Sequence, residues 1–330
     1  MHMIKSLLAA TVALSMAGAV GVAGAKDDDK DKGLPKCDDK TKVAKANASG
    51  VITGDEREKK GCQIKVEDLH PTQSAVGLDA VQCKSEKLTA KYDKKPSKYE
   101  DYLADTDRFV PLVRGPKGKF YLTDHHHLSA GVWNANVPDK EKEVNAYLLA
   151  DWSTLNDKDF WTLMQANHDT WLKNPAGKEI TPDQLPDSIA KLVDDPMRTL
   201  SAWVRNSCGY VKCDAATDDS GDDDETTCAK KFPKVTCADA YFLEFNWGAY
   251  LATVPEIKKA IETGEGVACP QKDVLTSQCL ESQYDKLVKV LPAAMKAAAD
   301  PAALKALGEG SGYNAEAQVG TPQPKNCATK

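Results

Sequence analysis

Hydrophobic positions along the chain follow a two-residue period early and a helical period later. In CQIKV, Ile64 and Val66 alternate with polar neighbours, which predicts a short strand. GLDAVQCKSEKLTAKY brings Leu78, Val81, Leu88 and Tyr92 to near-helical spacing. RFVPLVRGPKGKFYLTD holds two apolar runs around Gly115-Pro116-Lys117-Gly118, a hairpin signal. NAYLLADWSTL reads as a further strand. DKDFWTLMQANHDTWLKN sets Phe160, Met164, His168 and Trp171 on one face of a helix begun by Asp157 or Asp159. LPDSIAKLVDDPMRTLSAWVRNSCGY predicts two short helices parted at Asp195-Pro196. ADAYFLEFNWGAYLATVPEIKKAIETG predicts one helix before Pro255 and one after it. QYDKLVKVLPAAMKAAADPAALKALG is helical with breaks at Pro292 and Pro301, and the last twenty residues are polar and expected to fray. Few early strands followed by many helices indicate an α+β fold.

The ends of the chain read differently. Lys5, the apolar run from Ser6 to Val22, and Ala23-Gly24-Ala25 have the order of a secretory signal peptide over residues 1–25. No later segment has the length of apolar sequence that a membrane span needs. The expected location is therefore exported, periplasmic or secreted. All ten cysteines lie beyond residue 25, an even number that suits disulfides, and their spacing is not that of paired C-x-x-C zinc ligands. Cys208, Cys213, Cys228 and Cys237 are close enough in sequence to staple one local region. Residues 26–60 are rich in Lys, Asp and Gly and are expected to be a charged linker or loose arm.

Charge narrows the partners. The net charge of −6 is a poor match to a nucleic-acid backbone. Ten Lys/Arg against six Asp/Glu in residues 84–119 still allow a local basic face. Residues 214–225 carry seven acids and no base; DDSGDDDE lacks the calcium-loop spacing and reads as a solvated loop.

The candidate chemistry is in KFYLTDHHHLSAGVW. A strand ending at Tyr121 and Leu122 would be followed by a cap at Thr123 or Asp124. His125, His126 and His127 would then occupy the first helical turn. Unpaired amides at a helix start attract anions, and imidazoles add donors, metal ligands or proton carriers. Successive helical residues point about 100° apart, so at most two of the three rings could meet at one ion. The plainer alternative is that Asp124 caps, one histidine packs and two are solvated. His168, on an apolar stripe, reads as a core-edge residue.

This junction resembles that of the ParB-like nuclease family, within the ParB/sulfiredoxin superfamily. There a strand–turn–helix motif, G-E-R-R or G-C-H-R, holds phosphate; here Asp124-His125-His126-His127 stands in its place. LHPTQSAVGLDAV resembles the family's opening segment, with Pro71, Thr72, Gln73 and Gly77 toward the pocket. DPMRTLSAWVRNSCGYVK resembles its arginine-bearing helix, pointing to Arg198, Arg205, Tyr210 and Lys212. YFLEFNWGAYL resembles its E-F-x-W segment, pointing to Glu244 and Trp247. The resemblance spans about residues 62–255.

It implies a small sheet with a strand–turn–helix pocket and a mainly helical C-terminal part. The domain would cover residues 61–265, with a Cys-flanked acidic insertion at 213–237, and residues 266–330 would be a helical extension and tail. The implied activity is nuclease or phosphodiesterase hydrolysis at Asp124, His125, His126 and His127. Thr72, Gln73, Lys84, Arg198, Arg205 and Lys212 would bind phosphate, and Asp124 with Glu244 would hold a divalent metal ion. The implied partner is nucleic acid or a small phosphate ester. Competing readings are a non-catalytic module binding a phosphate-bearing or other anionic ligand, or an interaction protein with a vestigial pocket. Each residue has a duller role too: Lys84 as a solvated helix lysine, and Glu244 as a buried partner of Arg198. His125 at the sulfiredoxin cysteine position excludes ATP-dependent reductase chemistry. Export would remove the cytosolic nucleotide that a ParB-type switch needs.

Overall fold

The computed structural model describes residues 33–212, 225–238, 241–262, 268–272 and 274–317. Two compact units divide the chain after Gly33; the first has only Gly33 described, and the second, Leu34–Lys330, holds every element below. The expected signal peptide and the acidic run 214–224 lie outside the described residues.

A short helix α1 (Gly54–Lys60) precedes β1 (Cys62–Lys65), β2 (Leu69–Pro71) and β3 (Ala75–Val76). Two helices follow, α2 (Leu78–Lys94) and α3 (Pro96–Leu103), then the β4 (Val110–Arg114) and β5 (Phe120–Leu122) hairpin. Next come α4 (His126–Asn134), β6 (Glu143–Asp151), α5 (Asp157–Ala166) and β7 (Val193–Asp194). The rest is helical: α6 (Pro196–Asn206), α7 (Glu225–Lys231), α8 (Leu243–Leu251), α9 (Pro255–Glu262), α10 (Gln278–Ala298) and α11 (Pro301–Leu307). The mixed sheet runs β1-β6-β4-β5-β2, and β3 pairs with β7 in a separate parallel ladder. The expected α+β architecture with a helical C-terminal part is present.

All five residues of β4 are buried because both faces of this central strand are covered. On one side Leu112, Leu122 and Leu148 pack with Val81 and Leu88 of α2 and Leu128 and Val132 of α4. The two helices approach closely at Gly131, where an added Cβ would lie 2.7 Å from Lys84 Cβ. On the other side Val113 meets Phe160 and Met164 of α5. A second core joins α6, α8, α10 and α11 through Leu200, Val204, Trp247, Leu287 and Leu291.

One buried carboxylate ties these cores together. Asp194 accepts the amides of Leu78 (3.1 Å) and Cys269 (3.0 Å) and the Gln283 side chain. It thereby links β7 to the start of α2 and to the extension after residue 265. Nearby, Trp203 of α6 donates to Asp79 of α2 at 3.0 Å.

Several local expectations differ from the structure. Where the first of two short helices was expected before Asp195-Pro196, short turns and β7 stand instead. The arm expected at 26–60 is fastened over its described part: Cys37 bonds Cys62, Ala44 is buried, and Ala44 N donates to Leu148 O at 2.8 Å. The helix expected to reach Trp171 stops at Ala166, because His168 adopts φ 59° and closes a Schellman turn. In that turn His168 N bonds Gln165 O and Asp169 N bonds Met164 O. Pro292 does not break α10, which runs through it, whereas Pro301 starts α11. Of the tail, residues 311–317 are anchored: Asn314 is fully buried and Trp247 donates to Ser311 O at 2.8 Å.

Cys208–Cys228 and Cys269–Cys279 are also disulfides, and no free cysteine occurs among the described residues. No described helix is long and apolar enough to cross a membrane.

Candidate functional site

β2 and β5 run parallel, with Pro71 opposite Leu122, so their C-terminal ends release Thr72 and Thr123 side by side. Thr72 Oγ1 donates to Leu122 O at 2.8 Å and keeps the strands together at their exit. From there residues 72–77 run through the interior. Thr72, Gln73 and Ser74 are buried, so each backbone group needs an internal partner.

Two of the three histidines supply such partners. His126 Nε2 accepts the Thr72 amide at 3.2 Å, and His127 Nε2 accepts the Gly77 amide at 3.1 Å. The two rings therefore grip the two ends of one loop. The segment after α5 holds the first of these ends as well: Thr170 Oγ1 and Trp171 N both donate to Thr72 O, at 2.7 and 2.9 Å. Gln73 Nε2 donates to Ala75 O at 2.7 Å, turning inward on its own loop.

This geometry decides protonation. A ring nitrogen that accepts an amide N–H carries no proton, so both rings have their proton on Nδ1. Burial, with His125 adding a smaller effect, pushes the His126 pKa down to about 3. His126 is thus neutral at physiological pH and already engaged at Nε2.

His125 is differently placed. It is half-exposed, adopts φ 62°, and forms the N-cap of α4 without a side-chain cap on the first turn. The cap expected at Thr123 or Asp124 is replaced by this left-handed residue. Asp124 is exposed and its carboxylate accepts the His125 amide at 2.6 Å. A left-handed non-glycine residue costs about 1–2 kcal/mol, and such strain concentrates at functional positions.

The residues brought in from the helical part form a second group. Arg205 and Glu244 are buried and ion-paired, and Lys212 Nζ lies 3.7 Å from the same Glu244 oxygen. Two cations thus compensate one carboxylate. Tyr210 stacks on Trp247 at 4.5 Å behind them, its hydroxyl 3.0 Å from Ser201 Oγ, and burial raises its pKa. Arg198 is half-buried, with its guanidinium 5.8 Å from the centre of the Phe245 ring. Lys84 is buried between α2 and α4 with its ammonium inaccessible, not on a helix surface. His168 stacks on Tyr241 at 4.5 Å.

Short routes connect the two groups. Trp171, bonded to Thr72, stacks on Phe245 at 5.1 Å, and Phe245 carries Arg198. At the other end of the loop, a Cβ on Gly77 would come within 2.7 Å of Thr199 Oγ1. Thr199, next to Arg198, is buried and its hydroxyl has no hydrogen-bond partner among the described residues.

The donor set does not favour the expected metal pair. Glu244 is committed to Arg205 and Lys212, and no group of three His, Cys, Asp or Glu side chains suited to a metal gathers among the described residues. The sequence reading did not single out Thr170, Asp194 or Thr199. Asp194 precedes the Asp195-Pro196 helix start and could have been suspected there; the other two carry no local signal.

Residues 62–218 match a family described as "Putative ParB-like nuclease". Among solved structures, the crystal structure of protein Atu1540 from Agrobacterium tumefaciens is similar. The identity is 23%, over 75% of this chain and 96% of that chain, with a TM-score of 0.47. No curated protein matches the chain.

Proposed function

We propose, on the premise that residues 62–218 are the ParB-like nuclease domain of this chain, that the β5–α4 junction binds a phosphodiester and hydrolyses it. One observation carries this reading: α4 opens without a side-chain cap, at a half-exposed histidine held in a left-handed conformation. The amide-rich helix start suits a phosphate oxygen, and His125 and Asp124 stand beside it. His126 and His127 act as positioning residues that hold the loop from Thr72 to Gly77.

In the reaction, a water oxygen attacks phosphorus as the bond to the leaving alkoxide breaks. His125 takes the water's proton and gives it up to solvent, from which the departing alkoxide takes a proton. The helix start with Arg198 offsets charge on the phosphorane oxygens. Thr72 and Gln73 contribute by shaping the loop. Arg205, Lys212 and Glu244 act from the helical side as a paired ion cluster with one cation in excess, which supports Arg198's helix. Asp124 orients the His125 backbone, and no step is routed through a metal ion.

A second reading has its own support. Both His126 and His127 present Nε2 to backbone amides, which favours a site that binds a phosphate-bearing anion without turning it over.

The test uses the oxidised full chain with single-stranded DNA, double-stranded DNA and bis(4-nitrophenyl) phosphate, each with and without a divalent cation. Turnover that disappears in His125→Ala, with the unfolding midpoint kept, supports hydrolysis. Stabilisation by inorganic phosphate without turnover supports the binding module. Neither effect removes both.

A further inference from the structure

A cleft of about 640 Å³ lies beside the sheet, between the β4–β5 turn, α5 and residues 182–187. Asp124, His125, His126 and His127 do not line it. Its volume is in the range of about 300–1,000 Å³ typical of small-molecule sites.

Its floor is aromatic and rigid. His70 and Tyr121 face each other across the β2–β5 ladder, their ring centres 5.3 Å apart. Trp161 of α5 stands edge-on to Tyr121 at 5.4 Å. Phe160, fully buried, contacts both Tyr121 (4.8 Å) and Trp161 (5.1 Å) and fixes their planes. All three floor rings remain only half-buried, so each keeps surface for a ligand.

The rim is charged but balanced. Lys117, Lys119 and Lys158 are matched by Asp157, Asp183 and Asp187, all exposed. Asp187 also pairs with Lys191 at 2.9 Å. Burial, and then Lys119, lower the His70 pKa, while the backbone and carboxylate of Asp187 act the other way. With equal numbers of opposite charges, the rim has no net bias toward an anion or a cation. It offers instead many alternating donors and acceptors, to which Thr162 and Gln165 of α5 add.

Rigid aromatic faces below and mixed hydrogen-bonding groups around suit a ligand with apolar C–H faces and a hydroxylated edge. We infer that this cleft is a binding site for a neutral saccharide, with a sugar ring stacked on Trp161 beside the nearly perpendicular Tyr121 ring and its hydroxyls bonded to the rim. A phosphorylated or nucleic-acid ligand is less well matched, because the rim offers its phosphates no excess of positive charge.

Isothermal titration calorimetry of the full oxidised chain tests this with maltotetraose, cellotetraose and the N-acetylglucosamine tetramer as probes, and an oligothymidylate octamer as the alternative class. At least one tetrasaccharide is expected to bind. Thr162→Trp fills the cleft from an exposed helical position and should weaken that binding by about tenfold or more. Trp161→Leu should do the same, with the unfolding midpoint of each variant measured beside it. Absence of binding by all three sugars overturns the inference. So does sugar binding that Thr162→Trp leaves unchanged, or oligothymidylate binding that Thr162→Trp abolishes when no sugar binds.

Discussion

The histidine junction and the Arg205–Glu244–Lys212 cluster solve the same problem by opposite means. Each must keep polar groups away from water without leaving them unpaired. At the junction, neutral imidazoles accept backbone amides, so these two contacts are made without charge. In the helical part, one carboxylate is held between two cations, so charge is kept inside and paired. A run of histidines suggests proton chemistry, and two arginines on one helix suggest phosphate. The structure instead commits two of the histidines and one of the arginines to holding the fold, and leaves His125 and Arg198 more accessible.

The largest effect that separates the two regions should come from the ion cluster. Glu244→Gln leaves Arg205 buried beside a neutral amide and should destabilise the chain by about 3–5 kcal/mol in urea unfolding, less whatever Lys212's partial exposure recovers. The double variant Arg205→Met/Glu244→Leu should lose far less than Glu244→Gln. A loss below about 1 kcal/mol for Glu244→Gln would show that the cluster is not held in this way.

Next in size is the junction. His126→Ala leaves the Thr72 amide buried without its acceptor, at a cost of about 1–3 kcal/mol before any cavity is counted. His127→Ala, at a half-exposed position, should cost less by the same measurement.

The pH dependence sharpens the contrast further. His126 binds a proton in the unfolded chain below its ordinary value of 6.5 but in the folded chain only near 3. Its contribution to stability is complete above 6.5 and is lost as pH falls toward 3, by up to about 1.4 kcal/mol per pH unit. Asp79 and Asp195 act with the opposite sign. Burial raises each to about 6, so protonation in the folded chain adds stability as pH falls from there toward 3.8. The His126 effect is therefore read as a difference between wild type and His126→Asn, which does not titrate. Wild type should lose stability relative to the variant as the solution is acidified; parallel curves would remove the neutral-clamp account.

The smallest expected change is also the most diagnostic of function. His125→Gly relieves a left-handed cap and should gain stability of about 1 kcal/mol or less, while abolishing phosphodiester turnover. A variant both more stable and inactive would mark His125 as a position where strain serves the site. Loss of stability in His125→Gly would point to a packing role.

Much of the architecture could be read from residue order. β1, the hairpin around Gly115 to Gly118, α2 and α8 follow from local periodicity and turn chemistry, which act within a few residues. The end of α5 could not be read this way, because the usual glycine is replaced at the Schellman position by His168, with its ring stacked on Tyr241. Pro292 lies within a helix whose buried face, including Leu287, Leu291 and Met295, outweighs one missing amide.

At the site, the motif located the strand–turn–helix junction but not its hydrogen bonds. Which ring nitrogen meets which amide depends on how residues 72–77 pass beneath α4, a contact across some fifty positions in sequence. Glu244 stands thirty-nine positions from Arg205, and its partner likewise follows from packing, since α6 and α8 meet side by side.

The most direct measurement is a two-dimensional NMR titration of imidazole nitrogens in uniformly ¹⁵N-labelled protein, with signals assigned by single histidine variants. The account expects the His126 ring to stay neutral, protonated on Nδ1 and bare at Nε2, from about pH 7 down to about pH 4.5. A His126 ring that gains a second proton within that range, or that carries its proton on Nε2 at neutral pH, would contradict it.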